Sequence, residues 1–213
     1  RPAYDSIVGS GPNATVLHYR RNDRQMQDGD LLLIDAGCEF GYYAADVTRT
    51  FPVNGTFSPA QRDLYEVVLA AQDACIAAVK PGATMDGVHQ VAVRVLTEGM
   101  IRVGLLQGSV DAAIESGSYR EFYMHRTSHW LGMDVHDVGS TFLAGAPRPF
   151  APGHVLTIEP GLYVALDAAV DERFRGIGIR IEDDVAVTLD GHENLTTVPK
   201  TVADVEAAVR GAR

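Results

Sequence analysis

"GDLLLIDAG", residues Gly29–Gly37, and "GHVLTIEPG", residues Gly153–Gly161, align without a gap. Each is a glycine, five residues, an acid, one residue and a second glycine. Asp35 therefore falls on Glu159. The apolar run inside each reads as a buried strand. Each is followed by a second strand-like run, "GYYAADVTRTF" in one half and "GIGIRIEDDVAVT" in the other. Those runs carry another acid each, Asp46 and Glu182. A repeat that puts an acid at the matching end of an apolar strand predicts two related halves facing a central site.

A hairpin turning at Phe40-Gly41 sets Asp35 opposite Asp46. Directly opposed residues have Cβ atoms ~4.5–5.5 Å apart. Two ionised carboxylates that close repel, so either a proton or a cation settles between them. The same counting centres Glu159 and Glu182 on a loop near Val170-Asp171. Any one of these acids alone reads as a solvated strand end. Two matched pairs call for more positive charge than a shared proton supplies, and two divalent cations supply it.

Between the halves the pattern changes to helical. "SPAQRDLYEVVLAAQDACIAAV" has Ser58 as N-cap, Pro59 at the first helical position and Gln61 completing a capping box. A second helix is predicted from Thr84 to Val103, closed by Gly104. A short one follows near Val110–Glu115, and a last one begins at Thr201. Short strands are predicted at Ser6–Gly9 and Thr15–Arg20. Strands at both ends with helices between them indicate an α+β fold.

The composition narrows the function classes. The chain has 213 residues, 46% of them hydrophobic, and a formal net charge of −10. That is enough apolar matter for a core, and the acidic balance without basic runs argues against nucleic-acid and anionic-membrane partners. No apolar stretch reaches the ~20 residues of a membrane span. Two cysteines, Cys38 and Cys75, make no disulfide framework, which points to a reducing, cytoplasmic setting.

Three of the seven histidines fall in "MHRTSHWLGMDVHDVG", residues Met124–Gly139. His125 and His129 have the spacing of an HExxH zinc helix, but Arg126 stands where the base would be and two glycines oppose a long helix. A histidine pair alone reads as structural. The third histidine and the four acids shift the reading toward a site.

Together with "IVGSGPNATVLHY", "DGDLLLIDAGCEFGYYAADVTRTFPVNG", "LTIEPGLY" and "GIGIRIEDD", this segment resembles the metallopeptidases of the pita-bread fold. Within them the chain is more similar to the Xaa-Pro aminopeptidase branch than to prolidase or methionine aminopeptidase. The resemblance covers essentially the whole chain. It implies two pseudo-symmetric α/β halves around a dinuclear metal site, with Asp35, Asp46, His129, Glu159 and Glu182 as ligands. In it Asp46 and Glu182 bridge two metals, and His18, His125, His136 and Arg180 surround the substrate. Oxygen-rich ligands suit Mn²⁺, with Co²⁺, Fe²⁺ or Zn²⁺ as alternatives.

The implied reaction removes the first residue from peptides with proline second, by attack of a hydroxide held between the metals. Glu159 is the expected proton shuttle and His136 the expected oxyanion donor. His18 and His125 are expected at the prolyl residue. Arg180 is expected to orient Asp46 or the substrate, or to form an ordinary strand salt bridge. Tyr163 reads as a packed tyrosine, with lining the pocket as the alternative, Trp130 reads as structural, and His89, His154 and His192 are given no role. The alternatives are a dipeptide-specific prolidase and a non-enzymatic peptide-binding module. Residues 1–213 are expected to be one catalytic domain, without the separate N-terminal domain of full-length relatives. A homo-oligomer is compatible with the resemblance.

Overall fold

The computed structural model describes residues 1–211. β1 (Ile7–Ser10), β2 (Leu31–Asp35) and β5 (Thr48–Pro52) form an antiparallel sheet in the order β1-β2-β5. The short ribbon β3 (Glu39–Phe40) and β4 (Tyr43–Ala44) continues the β2–β5 hairpin to its tip. Then come α1 (Pro59–Ala78), α2 (Met85–Val103) and α3 (Val110–Ser116). The second half holds the exposed ribbon β6 (Phe142–Leu143) and β7 (Ala146–Pro147), then β8 (Val155–Ile158), β9 (Gly161–Tyr163), β10 (Gly178–Arg180), β11 (Asp183–Val187) and β12 (His192–Asn194). α4 (Val202–Gly211) follows.

The two halves repeat one plan. In the second, β8 pairs with β11 and β9 with β10, all antiparallel and in one continuous register. Ile158 faces Asp183 and Gly161 faces Arg180, so the same count puts Glu159 opposite Glu182. Where β1 flanks β2 in the first half, the extended segment 127–131 flanks β8. Thr157 N–H donates to the His129 carbonyl (3.1 Å) and Glu159 N–H to the Thr127 carbonyl (2.9 Å). The halves meet where Glu182 N–H donates to the Thr48 carbonyl at 3.1 Å, with Ala44 N–H on the Gly132 carbonyl (2.7 Å) and Thr50 Oγ1 against the Arg180 backbone also crossing between them.

The first hairpin differs from expectation by one turn position. Its tip is Gly41-Tyr42, both with positive φ (58° and 67°), the geometry of a type I′ turn. Asp35 therefore faces Thr48 rather than Asp46. Asp46 lies further toward the tip, in the unpaired waist between the ladders, beside Gly37. A Cβ on Gly37 would sit 1.6 Å from the Ala45 carbonyl oxygen, so only glycine lets the strands cross that closely. The predicted strand at Thr15–Arg20 is also absent: Gly11–Thr15 is a 3₁₀ turn and the following residues are irregular.

The helices carry the core. The Ser58/Gln61 capping box is present, and Leu64, Val67, Val68, Ala71 and Cys75 of α1 are buried. α2 starts after its N-cap Thr84 and ends at Gly104 in the left-handed conformation. α1 and α2 pack closely where Gly99 meets Val67. Their apolar faces join Leu156, Ile158, Leu162, Ile179 and Val185 of the second half's strands in one cluster. Burying a Leu or Ile there contributes ~1.5–3 kcal/mol each. This frame holds the strand ends that carry the acids.

Candidate metal centre and active site

All nine residues singled out in the sequence line one cavity of about 550 Å³: His18, Asp35, Asp46, His125, His129, His136, Glu159, Arg180 and Glu182. Asp35 comes from the end of β2 and Asp46 from the waist of the first hairpin. Glu159 and Glu182 come from the matching interruption in the second. Asp46, His129 and Glu182 present donor atoms within 4.8 Å of one another.

His129 is prepared to donate a lone pair. Its Nδ1 lies 3.0 Å from the Trp130 carbonyl, which only accepts, so Nδ1 carries the hydrogen. Nε2 then faces Asp46 Oδ2 at 3.4 Å and Glu159 Oε1 at 3.6 Å. Burial works against the imidazolium, but Asp46 and Glu159 outweigh it and hold the His129 pKa above its ordinary value. The His136 ring stands edge-on to His129, 4.2 Å between centroids. His18 and His136 are exposed at the cavity mouth.

The acids are poorly neutralised by the chain itself. Among the described residues, the cation paired with these four is Arg180, on Asp35 at 2.6 Å; His129 adds charge beside Asp46 and Glu159 only when protonated. Burial pushes Glu159 up to about 7; His129 and Arg180 oppose this, and Asp46 and Asp35 add to it. Burial also pushes Glu182 well above the carboxylate range, with Asp46, Glu159 and Asp35 adding repulsion. Asp35 is raised by burial too, against the pull of Arg180. Four carboxylates and an imidazole whose lone pair points among them are the donor set of a hard divalent cation, and they fit one here.

Arg180 does not orient Asp46. Its guanidinium holds Asp35 through Nη2 and the Tyr163 hydroxyl through Nη1 at 3.1 Å. His125 Nδ1 is 2.7 Å from the Arg126 carbonyl and so carries the hydrogen, leaving Nε2 to accept. Tyr163 O–H therefore donates to His125 Nε2 at 2.9 Å while accepting from Arg180. A chain of hydrogen bonds thus links Asp35 and His125, with Arg180 donating to both sides and Tyr163 passing the direction on to His125. Burial depresses the His125 pKa to about 4, in keeping with a neutral acceptor.

Three further residues escaped the sequence reading, and a fourth, Tyr163, figures there only as packing or pocket lining. The Tyr4 hydroxyl bonds Asp35 Oδ1 at 2.6 Å and also Asp46 Oδ1, joining two acids that the hairpin register separates. Thr48 donates to Glu182 Oε2 at 2.6 Å and accepts from Arg180 Nε at 3.3 Å. Asp184 Oδ2 accepts the Asp46 N–H at 3.1 Å, and burial raises Asp184 to about 7. Tyr4 reaches the acids across 31 and 42 residues of chain, a contact that leaves no periodic trace.

Residues 1–189 match the model of metallopeptidase family M24. The chain belongs to metallopeptidase family M24. Within this M24 family it is 50% identical over 213 residues to an Xaa-Pro aminopeptidase of Escherichia coli and 52% identical over 206 residues to one of Haemophilus influenzae. The alignments take in 100% and 96% of this chain but 48% of each relative, so the chain spans about half the length of the curated relatives it matches. The solved structure of Pseudomonas aeruginosa aminopeptidase PepP superposes with a TM-score of 0.98 at 54% identity, covering 99% of this chain and 48% of that one. The α+β fold of this M24 chain is thus the aminopeptidase P, or pita-bread, fold. Among the described residues no helix is long and apolar enough to cross a membrane.

Proposed function

We propose that this chain is the catalytic domain of a cytoplasmic metal-dependent aminopeptidase that removes the first residue from peptides with proline in second position. The observation that carries the reading is the convergence of two acids from each of two matched hairpins, with the lone pair of His129, on one cavity of an M24 fold. The names of the relatives at about 50% identity supply the substrate class.

Asp35, Asp46, His129, Glu159 and Glu182 would hold two divalent ions, Mn²⁺ by preference. Bound there, the ions activate a water and polarise the scissile carbonyl. The protein's own groups do the rest. Glu159, at the break of the second hairpin beside the activated water, takes and returns its proton. His136, at the mouth against His129, donates to the developing oxyanion. His18 and His125 line the wall where the prolyl residue sits; the Arg126 carbonyl fixes the tautomer of His125, and Tyr163, held by Arg180, fixes its tilt.

The test is hydrolysis of an Xaa-Pro-Xaa tripeptide by chelated and Mn²⁺-reloaded full-length protein. Release of the first residue only after reloading supports the reading. Cleavage of Xaa-Pro dipeptides alone would make it a prolidase. Mn²⁺ binding without cleavage of either would make it a peptide-binding module.

A further inference from the structure

We infer that Arg49, on the face of β5 turned away from the cavity, is a positioning residue for Glu182; the inference rests on the reading of Glu182 as a metal ligand. Alternation along β5 sends Thr48 to the site and Arg49 to the opposite side. Glu182 and Asp183 divide in the same way. One face of the crossing between the halves therefore carries the candidate metal site, and the other carries a buried pair, Arg49 Nη2 to Asp183 Oδ1 at 2.6 Å.

The Arg49 guanidinium has five N–H donors, and the structure gives each an acceptor. Nη1 donates to the Thr48 carbonyl at 2.9 Å and the Glu182 carbonyl at 2.7 Å. Nη2 donates to Asp183 and to the Val198 carbonyl at 2.8 Å, and Nε to the Pro199 carbonyl at 3.0 Å. The two carbonyls on Nη1 belong to the residues of a bridge that joins the halves. That bridge lies at the break between β10 and β11, and Glu182 N–H is already spent on it, so the Glu182 carbonyl turns to Arg49 for its donor. Arg49 grips both sides of the bridge and ties it to the segment leading into α4.

Stability alone is a poor reason for such a pair. Arg49 is 2% exposed and Asp183 0%. Desolvating two charges that fully offsets most of their attraction, and apolar replacements of similar size are often neutral or stabilising. What a planar five-donor fork supplies that an apolar pair does not is fixed geometry. Lysine offers three donors from a point and cannot reproduce it.

The test is the Mn²⁺ dissociation constant, by titration with the free ion followed by electron paramagnetic resonance, on full-length protein held well below its melting temperature. Arg49→Lys should raise it ~10–100-fold, the range seen when groups supporting a metal ligand are removed. Arg49→Met with Asp183→Asn removes both charges, leaves no lone buried ion, and should raise it similarly with the melting temperature nearly kept. Lys200→Met removes the other cation on Asp183, 3.0 Å away, without touching the bridge carbonyls; it should leave the constant unchanged. Wild-type affinity in a folded Arg49 variant, or an equal loss in Lys200→Met, overturns the role of Arg49. A wild-type protein that binds no Mn²⁺ overturns it together with the metal reading.

Discussion

At the scale of single residues, the three histidines of the 124–139 segment are distinguished by what each ring nitrogen faces. His129 Nε2 faces Asp46 and Glu159, His125 Nε2 is taken by Tyr163, and His136 packs on His129 from the mouth. His129→Ala should therefore lower bound metal as well as turnover. His136→Ala should keep its metal and lose ~10²–10³ in kcat, the usual cost of an oxyanion donor. Metal analysis beside kinetics on the two folded variants checks this; equal metal loss in both would refute the division of labour. His89 behaves differently. It sits on α2 with Nδ1 2.8 Å from Thr127 Oγ1, and burial, with Arg126 nearby, lowers its pKa from 6.5 to about 4. The unfolded chain takes up a proton there below about 6.5 that the folded chain resists. The stability of neutral His89 is thus full above that pH and is lost as pH falls toward 4, on the order of 1–3 kcal/mol. His89→Gln should narrow the gap in melting temperature between pH 7 and pH 5, and an unchanged gap would refute it.

At the scale of elements, what was legible in the sequence followed from local chemistry. Ser58, Pro59 and Gln61 mark the start of α1, and Thr84 and Gly104 bracket α2, because capping groups act within one turn. Both hairpins keep one unbroken count across their two ladders, so each register depends only on where its turn is centred, and the second is centred correctly on Val170-Asp171. The first is not: Gly41-Tyr42 is a type I′ turn without the Asn-Gly signature, and the count slipped toward Phe40. Asp35 and Asp46 still share the cavity, but through Tyr4 and the waist at Gly37 rather than as a facing pair. Gly37→Ala should therefore disrupt the waist and cost metal binding, because its Cβ would collide with a backbone oxygen that cannot move aside. Near-normal metal content in that variant would contradict the close crossing. In α2, Gly99→Ala gains ~1 kcal/mol of helix propensity but puts a Cβ 2.3 Å from Val67 Cγ1. Overpacking costs ~1–3 kcal/mol, so the melting temperature should fall, and Val67→Ala in the same chain should restore it.

At the scale of the whole molecule, the repeat of "GDLLLIDAG" in "GHVLTIEPG" is the fold's organising fact. It builds two hairpins of one design, sets their acids at or beside a break in each, and brings the breaks together over one cavity. The site was legible because its acids lie at matched places in that repeat. Tyr4, Thr48 and Asp184 were not, because each acts through a partner brought close only by the fold. The account's central claim is that the two halves jointly hold divalent metal and that hydrolysis depends on it. The most direct measurement counts Mn²⁺ per chain in the full-length protein while following release of the first residue from an Xaa-Pro tripeptide. Two ions per chain are predicted, with activity rising as they bind, lost on chelation and regained on reloading. Full activity in thoroughly metal-free protein would contradict the account.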